Sequence, residues 1–318
     1  MDEFELIARL FRPLAGEAGL ALSDDAALLR PPPGADIVAT KDMVAAGVHF
    51  LHTDSPEDIA WKALAVNVSD LAAKGADPWV YLLGLGLGGD EDDAWLGRFA
   101  EGLHAAQAAF GLSLAGGDTI RAPGRLVLSI TALGKVPAGH MIRRAGARPG
   151  DGVYVSGALG DAGLGLAILQ GALTAPSGQD LIARYRRPQP RLALGQALRG
   201  MARAAADISD GLVADLGHIC AASEVAADIL LERIPLSPAA LATGLDPAEL
   251  RRRAAVAGDD YELVFTVPDA QEAALFTLCQ DLSVTLSRVG TVQPGHGVVV
   301  RDSQGRAVDL GPGGYRHR

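Results

Sequence analysis

The sequence predicts a mixed α/β fold, α/β or α+β, divided into two domains. Strand-like and helix-like segments alternate along both halves of the chain, as they do in such domains. The length of 318 residues exceeds that of a usual single core. A stretch rich in Gly, Pro and Arg, VPAGHMIRRAGARPGDGV, interrupts the alternation at residues 136–153. We therefore expect an N-terminal domain over residues 1–137 and a C-terminal domain over residues 138–318, with one long domain as the alternative.

Local signals predict each element of the first half. An amphipathic helix opens the chain and ends near AGEAGL, and a Pro-rich turn precedes a strand at residues 36–44. A Ser-Pro cap begins a long helix within residues 55–78, which should carry Asn67 and Asp70. After a strand at residues 79–87 we predict the helix DAWLGRFAEGLHAAQAAFG, the strand LSLAGGDT running into a tight turn, and the strand RLVLSITALGKV.

The second half shows the same mixture. The predicted strands are DGVYVSG, AADIS, YELVFTVP and LSRVGTV. The predicted helices are LGDAGLGLAILQGAL, QPRLALGQALRGMA and LVADLGHICAAS, and a Gly-rich tail follows.

Composition restricts the classes of function. The net charge of −10, from 38 acidic and 28 basic side chains, argues against a nucleic-acid or anionic-membrane partner. Only two cysteines occur, Cys220 and Cys279, and neither belongs to a CxxC pair, so a disulfide framework or a zinc site is not expected. The acidic start MDEFELIARLF differs from a secretory signal, and we expect a cytoplasmic protein.

Aspartates recur at predicted turns and helix starts. The segments are LSDDAALL (Asp24, Asp25), ATKDMV (Asp42), NVSDLA (Asp70), AGGDTI (Asp118), ADISDG (Asp207, Asp210) and AGDDYEL (Asp259, Asp260). Each segment alone is also ordinary cap or turn chemistry, or a solvated helix face. If the segments converge on one cleft, their carboxylates repel by about 4 kcal/mol per pair at 4 Å and need cations. Carboxylate and hydroxyl oxygens suit Mg²⁺, which predicts a polyphosphate ligand held through several Mg²⁺ ions.

The common phosphate-binding motifs do not account for such a ligand. The sequence contains no GxxxxGK[ST] and no kinase HRD or DFG set. GLGLGG at residues 84–89 matches GxGxxG, but the acidic run at residues 90–93 follows where a pyrophosphate would bind. We interpret this segment as the end of a strand and a loop.

Five segments, in this order, resemble the thiamine-monophosphate kinases: ALAVNVSDLAAKGADP, LAGGDT, RAGARPGD, DISDGLVADLGH and GDDYELVFTVP. The resemblance covers almost the whole chain. It implies transfer of the γ-phosphoryl group of ATP to thiamine monophosphate, which gives thiamine diphosphate. It also implies the two-domain fold of aminoimidazole ribonucleotide synthetase and its relatives, in which the N-terminal domain dimerises through its sheet. A homodimer is therefore expected.

The resemblance also implies roles for individual residues. Matched metal ligands are Asp25, Thr40, Asp42, Asp70, Asp118, Asp207 and Asp210, with Asp70 shared by more than one Mg²⁺. Matched nucleotide and phosphate contacts are Gly117, Asp118, Arg144 and Ser209, and matched thiamine-substrate contacts are His49, Asp259 and Tyr315. Without the resemblance, His49 could equally be a core histidine and Arg144 a surface residue of the linker.

The chain departs from the family pattern at three positions. Ser23 replaces the glycine of the usual GDD, which should narrow the conformation of that turn. Lys41 replaces a threonine, and its ammonium could take the place of one Mg²⁺ or pair with Asp42, which predicts a weaker Mg²⁺ requirement. Asp259 replaces a glutamate and, being shorter, should hold the thiamine moiety less well.

The implied reaction needs no general base, because the acceptor phosphate is already ionised at neutral pH. Positioning and charge neutralisation would carry the catalysis. Two alternatives stay open: an ATP-dependent enzyme of the same superfamily with another acceptor, and a non-catalytic protein that binds nucleotide or divalent cations.

Overall fold

The computed structural model describes residues 3–311, and these divide into two compact units. The first unit takes the chain up to Leu71 and Ala76–Gly139. The second takes Ala72–Gly75 and the chain from His140 onward. Each unit combines one β-sheet with helices, so the predicted two-domain mixed α/β fold is confirmed.

The first unit is built on a four-stranded sheet in the order β1-β4-β2-β3. Its strands are β1 (Ala35–Ala45), β2 (Asp77–Leu87), β3 (Ser113–Arg121) and β4 (Val127–Pro137). β4 pairs antiparallel with β1 and β2, whereas β2 and β3 are parallel. The helices are α1 (Glu3–Leu6), α2 (Pro56–Ala73) and α3 (Asp93–Phe110). The predicted strand at residues 36–44 and the long helix that carries Asn67 and Asp70 are both present.

Helix α3 shows how local signals set its ends. The Asp92 side chain accepts the N–H of Trp95 at the N-terminus, and Gly111 ends the helix in the left-handed conformation at φ 76°. Leu96, Phe99 and Leu103 line its buried face at helical spacing.

The N-terminal segment differs from the single helix predicted there. After α1 the chain forms a π-helical turn, Ile7–Phe11, and 3₁₀ segments at Arg12–Leu14 and Glu17–Leu22. Leu20, Ala21 and Leu22 all have positive φ, between 49° and 56°. Left-handed backbone in three consecutive non-glycine residues carries a cost of about 1–2 kcal/mol per residue.

The second unit contains a six-stranded sheet in the order β10-β7-β9-β5-β8-β6. Its strands are β5 (Asp151–Ser156), β6 (Ala204–Asp207), β7 (Ala226–Leu230), β8 (Leu263–Pro268), β9 (Leu286–Gln293) and β10 (Gly297–Arg301). Its helices are α4 (Asp161–Leu169), α5 (Gly178–Arg186), α6 (Leu192–Ala197), α7 (Leu212–Ser223), α8 (Pro238–Leu241), α9 (Pro247–Val256) and α10 (Glu272–Asp281).

Both faces of this sheet are buried. Val153, Val155 and Val264 belong to the core on one face, together with α7. Tyr154 and Phe265 alternate with them along β5 and β8 and belong to the core on the other face. Because successive side chains of a strand point to opposite faces, the continuous apolar runs of β5 and β8 suit a sheet covered on both sides.

Several local predictions need correction. The strand predicted at LSLAGGDT does not run into a tight turn: β3 continues to Arg121, and Gly117 and Asp118 both pair with β2. The helix predicted over QPRLALGQALRGMA is confined to α6. The predictions also omitted α5, α8, α9, α10, β7 and β10, which the structure adds. Within residues 3–311 no helix has the length and apolar character to cross a membrane.

Candidate functional site

A cavity of about 520 Å³ in the first unit brings together residues far apart in sequence. Asp24 and Asp25 line it from the N-terminal segment, and Gly117 and Asp118 line it from β3. The remaining wall is mostly apolar: Ile7, Phe11, Gly19, Leu22, Ala26, Ala27, Leu29, Val80, Leu82, Leu83, Leu114, Ala115, Gly116, Thr119 and Leu133. The cavity thus combines an apolar wall with carboxylates contributed from two chain segments.

The left-handed turn that ends at Leu22 leads directly to Asp24 and Asp25. Ser23, after this turn, has φ −113° and ψ 3°, and its Oγ donates to the carbonyl oxygen of Leu20 at 2.8 Å. A negative φ of this size is open to any residue, so this backbone does not require the glycine of the family pattern. Strained backbone of this kind is found preferentially at functional sites.

Gly117 is required by a close approach between neighbouring strands. A Cβ at this position would lie 2.1 Å from the backbone oxygen of Leu83. Any side chain at this position would therefore force β2 and β3 apart next to Asp118. The glycine keeps the backbone of β3 close to β2 at the wall of the cavity.

A second group of predicted residues lies where β1 faces α2. The hydroxyl of Thr40 donates a short hydrogen bond to the Asp70 carboxylate. Asn67, one helical turn before Asp70, accepts the backbone N–H of Asp42 at 3.1 Å. Two predicted metal ligands, Thr40 and Asp70, are thus in direct contact. A third, Asp42, lies two residues after Thr40 on β1.

His49 follows this group and is half-buried. Its Nδ1 accepts the backbone N–H of Ala45 at 3.1 Å, so the neutral ring carries its proton on Nε2. A partly exposed ring held by its Nδ1 differs from the core histidine considered above. Its predicted contact with substrate stays a prediction.

Lys41 lies on the opposite side of β1 from Thr40 and Asp42, because side chains alternate along a strand. Its ammonium donates to the Ser129 hydroxyl on β4 at 2.6 Å. The expectation that Lys41 pairs with Asp42 is therefore wrong, whereas the alternative, that it replaces a Mg²⁺ ion, is open to experiment.

Substituting Lys41 with threonine tests this placement. We expect Lys41→Thr to leave the Mg²⁺ concentration for half-maximal activity within about twofold of wild type, because the ammonium is held by Ser129. Titration of activity against Mg²⁺ measures the effect. A shift of about tenfold in either direction would return Lys41 to the metal site.

In the second unit, two loops carry the remaining predicted residues. Backbone N–H groups of one loop hold carbonyl oxygens of the other: Asp259 donates to Ser209 at 2.9 Å, and Tyr261 donates to Ile208 at 2.8 Å. A Cβ on Gly258 would lie 2.4 Å from the Ser209 oxygen. The loop of Ser209 and Asp210 is therefore packed directly against the loop of Asp259.

Asp215, in the first turn of α7, accepts hydrogen bonds from the loop of Ser209 and Asp210. One of its carboxylate oxygens receives the N–H groups of Ser209 and Asp210, both at 3.0 Å. Burial raises the pKa of Asp215 to about 7, while these N–H donors and the charge of Arg144 act to lower it. Arg144 is exposed, and its backbone oxygen accepts from the hydroxyl of Ser223.

The backbone of Asp259 explains one departure from the family pattern. Asp259 has φ 67°, and aspartate adopts this left-handed region more readily than most residues. The hydroxyl of Tyr261 donates to its carboxylate at 3.0 Å. The shorter side chain is thus compatible with the turn and is fixed in place by a neighbour.

Two buried acids lie next to this loop. Asp260 accepts the N–H of Gly160, and burial raises its pKa well above the usual range. Glu262 is fully buried, and its carboxylate accepts from Arg184, Arg191 and Ser156. Along the sequence, only their place in the AGDDYEL segment marks these two residues.

Within each unit, the structure brings some of the predicted site residues together. Asp25, Gly117 and Asp118 line the cavity, while Thr40, Asp42 and Asp70 lie at β1 and α2. In the second unit, Asp207 ends β6, and Ser209, Asp210 and Asp259 lie on the two loops. Among residues 3–311 no three His, Cys, Asp or Glu side chains are placed to hold one metal ion together. Tyr315 lies outside the described residues.

Sequence reasoning assigned no role to Asp215, Tyr261 or Glu262. Asp215 belongs to the same acidic segment as Asp207 and Asp210, and its position in the first turn of a predicted helix is the one signal for its contacts. Tyr261 and Glu262 directly follow the predicted substrate residue and carry no separate signal.

Comparison with known proteins identifies relatives across the whole chain. Residues 23–136 match the family model for the AIR synthase related protein N-terminal domain, and residues 148–303 match that for the C-terminal domain. A thiamine-monophosphate kinase of Caulobacter vibrioides is 44% identical over 301 residues, covering 93% of this chain and 85% of the relative.

Solved structures give the same result. The crystal structure of thiamine-monophosphate kinase from Stenotrophomonas maltophilia K279a superposes with a TM-score of 0.86 at 43% identity, over 97% of this chain and 98% of that one. The structure of AaThiL complexed with AMPPCP and TMP superposes with a TM-score of 0.79 at 33% identity, over 99% and 97%.

Proposed function

Since this chain belongs to the thiamine-monophosphate kinase family of AIR synthase related proteins, we propose that it transfers the γ-phosphoryl group of ATP to thiamine monophosphate. The product is thiamine diphosphate. The observation that carries this proposal is the similarity, over 99% of the chain, to a protein complexed with AMPPCP and TMP. AMPPCP stands in for ATP, so that relative binds both reactants named here.

The donor set fits Mg²⁺ as the cation of the reaction. Mg²⁺ in phosphoryl-transfer sites is usually bound by one or two carboxylates together with substrate phosphates. The contact between the Thr40 hydroxyl and the Asp70 carboxylate supplies two oxygen ligands, and the pair Asp25 and Asp118 lines one cavity. We assign Mg²⁺ binding to Asp25, Thr40, Asp42, Asp70 and Asp118 in the first unit and to Asp207 and Asp210 in the second.

Bound Mg²⁺ would neutralise phosphate charge during the transfer. The protein's own groups bind and orient the reactants. We assign the nucleotide phosphates to Arg144, whose planar guanidinium offers paired donors, and to Gly117, which lines the cavity beside Asp118. Ser209 is proposed as a further nucleotide contact.

We assign the thiamine substrate to His49, Asp259 and Tyr315. The Tyr261 hydroxyl orients the Asp259 carboxylate, and Nδ1 of His49 accepts the backbone N–H of Ala45, which orients the ring. No side chain is required as a general base, because the acceptor phosphate is already ionised. Catalysis then depends on holding the acceptor in line with the departing ADP.

We further propose that the N-terminal domain, residues 1–137, binds ATP and Mg²⁺ and forms a homodimer, and that the C-terminal domain, residues 138–318, completes the active site. Apolar side chains exposed on the face of the first sheet that carries Lys41 support the dimer: Ile37 (40% exposed), Met43 (56%), Leu82 (41%) and Ile120 (56%). Monomeric proteins seldom leave such a face open to water.

The proposed reaction is tested with purified protein, ATP, Mg²⁺ and thiamine monophosphate. We expect equal amounts of ADP and thiamine diphosphate, resolved by chromatography. Consumption of ATP only with a different phosphate or amine acceptor would support the alternative of another enzyme of this superfamily. Binding of AMPPCP without any turnover would support the non-catalytic alternative.

A further inference from the structure

The loop of residues 208–210 is held by hydrogen bonds on both sides. Its carbonyl oxygens at Ile208 and Ser209 accept from the loop of Asp259 and Tyr261. Its N–H groups at Ser209 and Asp210 donate to one oxygen of Asp215. Fixing successive backbone groups in this way leaves the loop little freedom to reorient.

Asp215 itself is placed rigidly. It is 1% exposed, and its own N–H donates to the Gly211 oxygen within the first turn of α7. Leu212, Leu216 and Ile219 anchor the same helix in the core. A carboxylate on a buried helix is a fixed reference point for the loop that precedes the helix.

We infer that Asp215 is a positioning residue for the proposed phosphoryl transfer, because its carboxylate fixes the loop that presents Ser209 and Asp210 to nucleotide and metal. Asp215 does not itself contact substrate. This inference rests on the proposed function. It adds to that function a residue whose role is to pre-organise the ligands in the absence of ATP.

The contact chemistry selects the variants. In Asp215→Asn, the amide oxygen retains an acceptor for both N–H groups at nearly the same size. In Asp215→Ala, the two N–H groups lose their partner, and in Asp215→Ser a shorter hydroxyl cannot reach both. Asp180→Ala removes an exposed acid from the first turn of α5 and is the matched control.

Two measurements on the ligand-free and ligand-bound protein test the role. Hydrogen exchange of the Ser209 and Asp210 amides, measured without ligand, should become at least about tenfold faster in Asp215→Ala. Calorimetric binding of AMPPCP with Mg²⁺ should weaken by about 10- to 100-fold, the usual effect of losing a residue that orients metal ligands. Asp215→Asn and Asp180→Ala should stay within about threefold of wild type in both measurements.

Kinetics then separate positioning from general stabilisation. We expect the Mg²⁺ concentration for half-maximal activity to rise in Asp215→Ala while the KM for thiamine monophosphate changes by less than about threefold. If alanine prevents folding, the same comparison is made with Asp215→Ser. The inference is overturned if a folded Ala or Ser variant keeps the wild-type exchange rates of the two amides and the wild-type affinity for AMPPCP. It is also overturned if Asp215→Asn loses as much as Asp215→Ala in these two measurements. Failure of wild type to phosphorylate thiamine monophosphate overturns the proposed function instead, since exchange and AMPPCP binding do not depend on turnover.

Discussion

Asp70→Ala is expected to abolish turnover while the protein stays folded. Asp70 is half-buried on α2, and its carboxylate accepts from Thr40, which is itself a proposed ligand. Removing one group that stabilises transition-state charge typically costs about 10²–10³-fold in kcat. Because Asp70 is proposed to serve more than one Mg²⁺, we expect a loss of about 10³-fold or more. Asp210→Ala, in the second unit, is expected to have an effect of the same kind.

The same helix provides the control. Asp58 lies in the first turn of α2, and Asp58→Ala removes an identical charge away from Thr40. Its loss should cost only about 0.3–1 kcal/mol of helix stabilisation and leave kcat within about threefold. The two variants are compared by their steady-state rates at saturating ATP and Mg²⁺. Melting temperatures from circular dichroism show whether each variant is folded. Retention of most of the activity in folded Asp70→Ala would show that the metal site is misassigned.

The elements with strong local signals could be predicted from the sequence. α2 begins after a Ser-Pro cap and keeps helical spacing of its apolar residues, and β1 alternates between its two faces. The continuation of β3 to Arg121 in place of a tight turn was not predicted, because the hydrogen bonds that extend the strand come from β2, about thirty residues earlier. The left-handed turn at Leu20 has no glycine to signal it.

The candidate site was predictable to the extent that its residues stand at turns and helix starts. Asp25 and Asp118 line the same cavity. The hypothesis that the acidic segments converge requires at least some of them to lie this close together. The error at Lys41 came from treating a neighbour in sequence as a neighbour in space, although strand alternation places it on the other face. The contact of Tyr261 with Ile208 joins two loops about fifty residues apart, and no local pattern reports such packing.

Glu262→Ala is expected to cause the largest loss of stability. The carboxylate accepts from Arg184 at 2.7 Å and from Arg191 at 2.5 and 2.6 Å, and it is fully buried. Removing one partner of a buried ion pair typically costs about 3–5 kcal/mol, because the remaining charges stay desolvated without compensation. Both arginines are about a quarter exposed, which places the expected loss in the free energy of unfolding near the lower end, at about 3 kcal/mol.

Comparison with an exposed ion pair isolates the contribution of burial. Glu249 pairs with Arg253 on the surface of α9, and Glu249→Ala should cost less than about 1 kcal/mol. Glu262→Gln keeps an acceptor of the same shape for Ser156 and the arginines, so it should fall between Glu262→Ala and wild type. Urea unfolding, followed by tryptophan fluorescence and circular dichroism, gives the free energy of unfolding of each of the three variants relative to wild type. A Glu262→Ala protein within about 1 kcal/mol of wild type would mean that the arginines find other partners. Since Glu262 lies three residues after Asp259, we also expect the Ala variant to bind thiamine monophosphate more weakly, because the loop that carries Asp259 then loses one of its buried anchors.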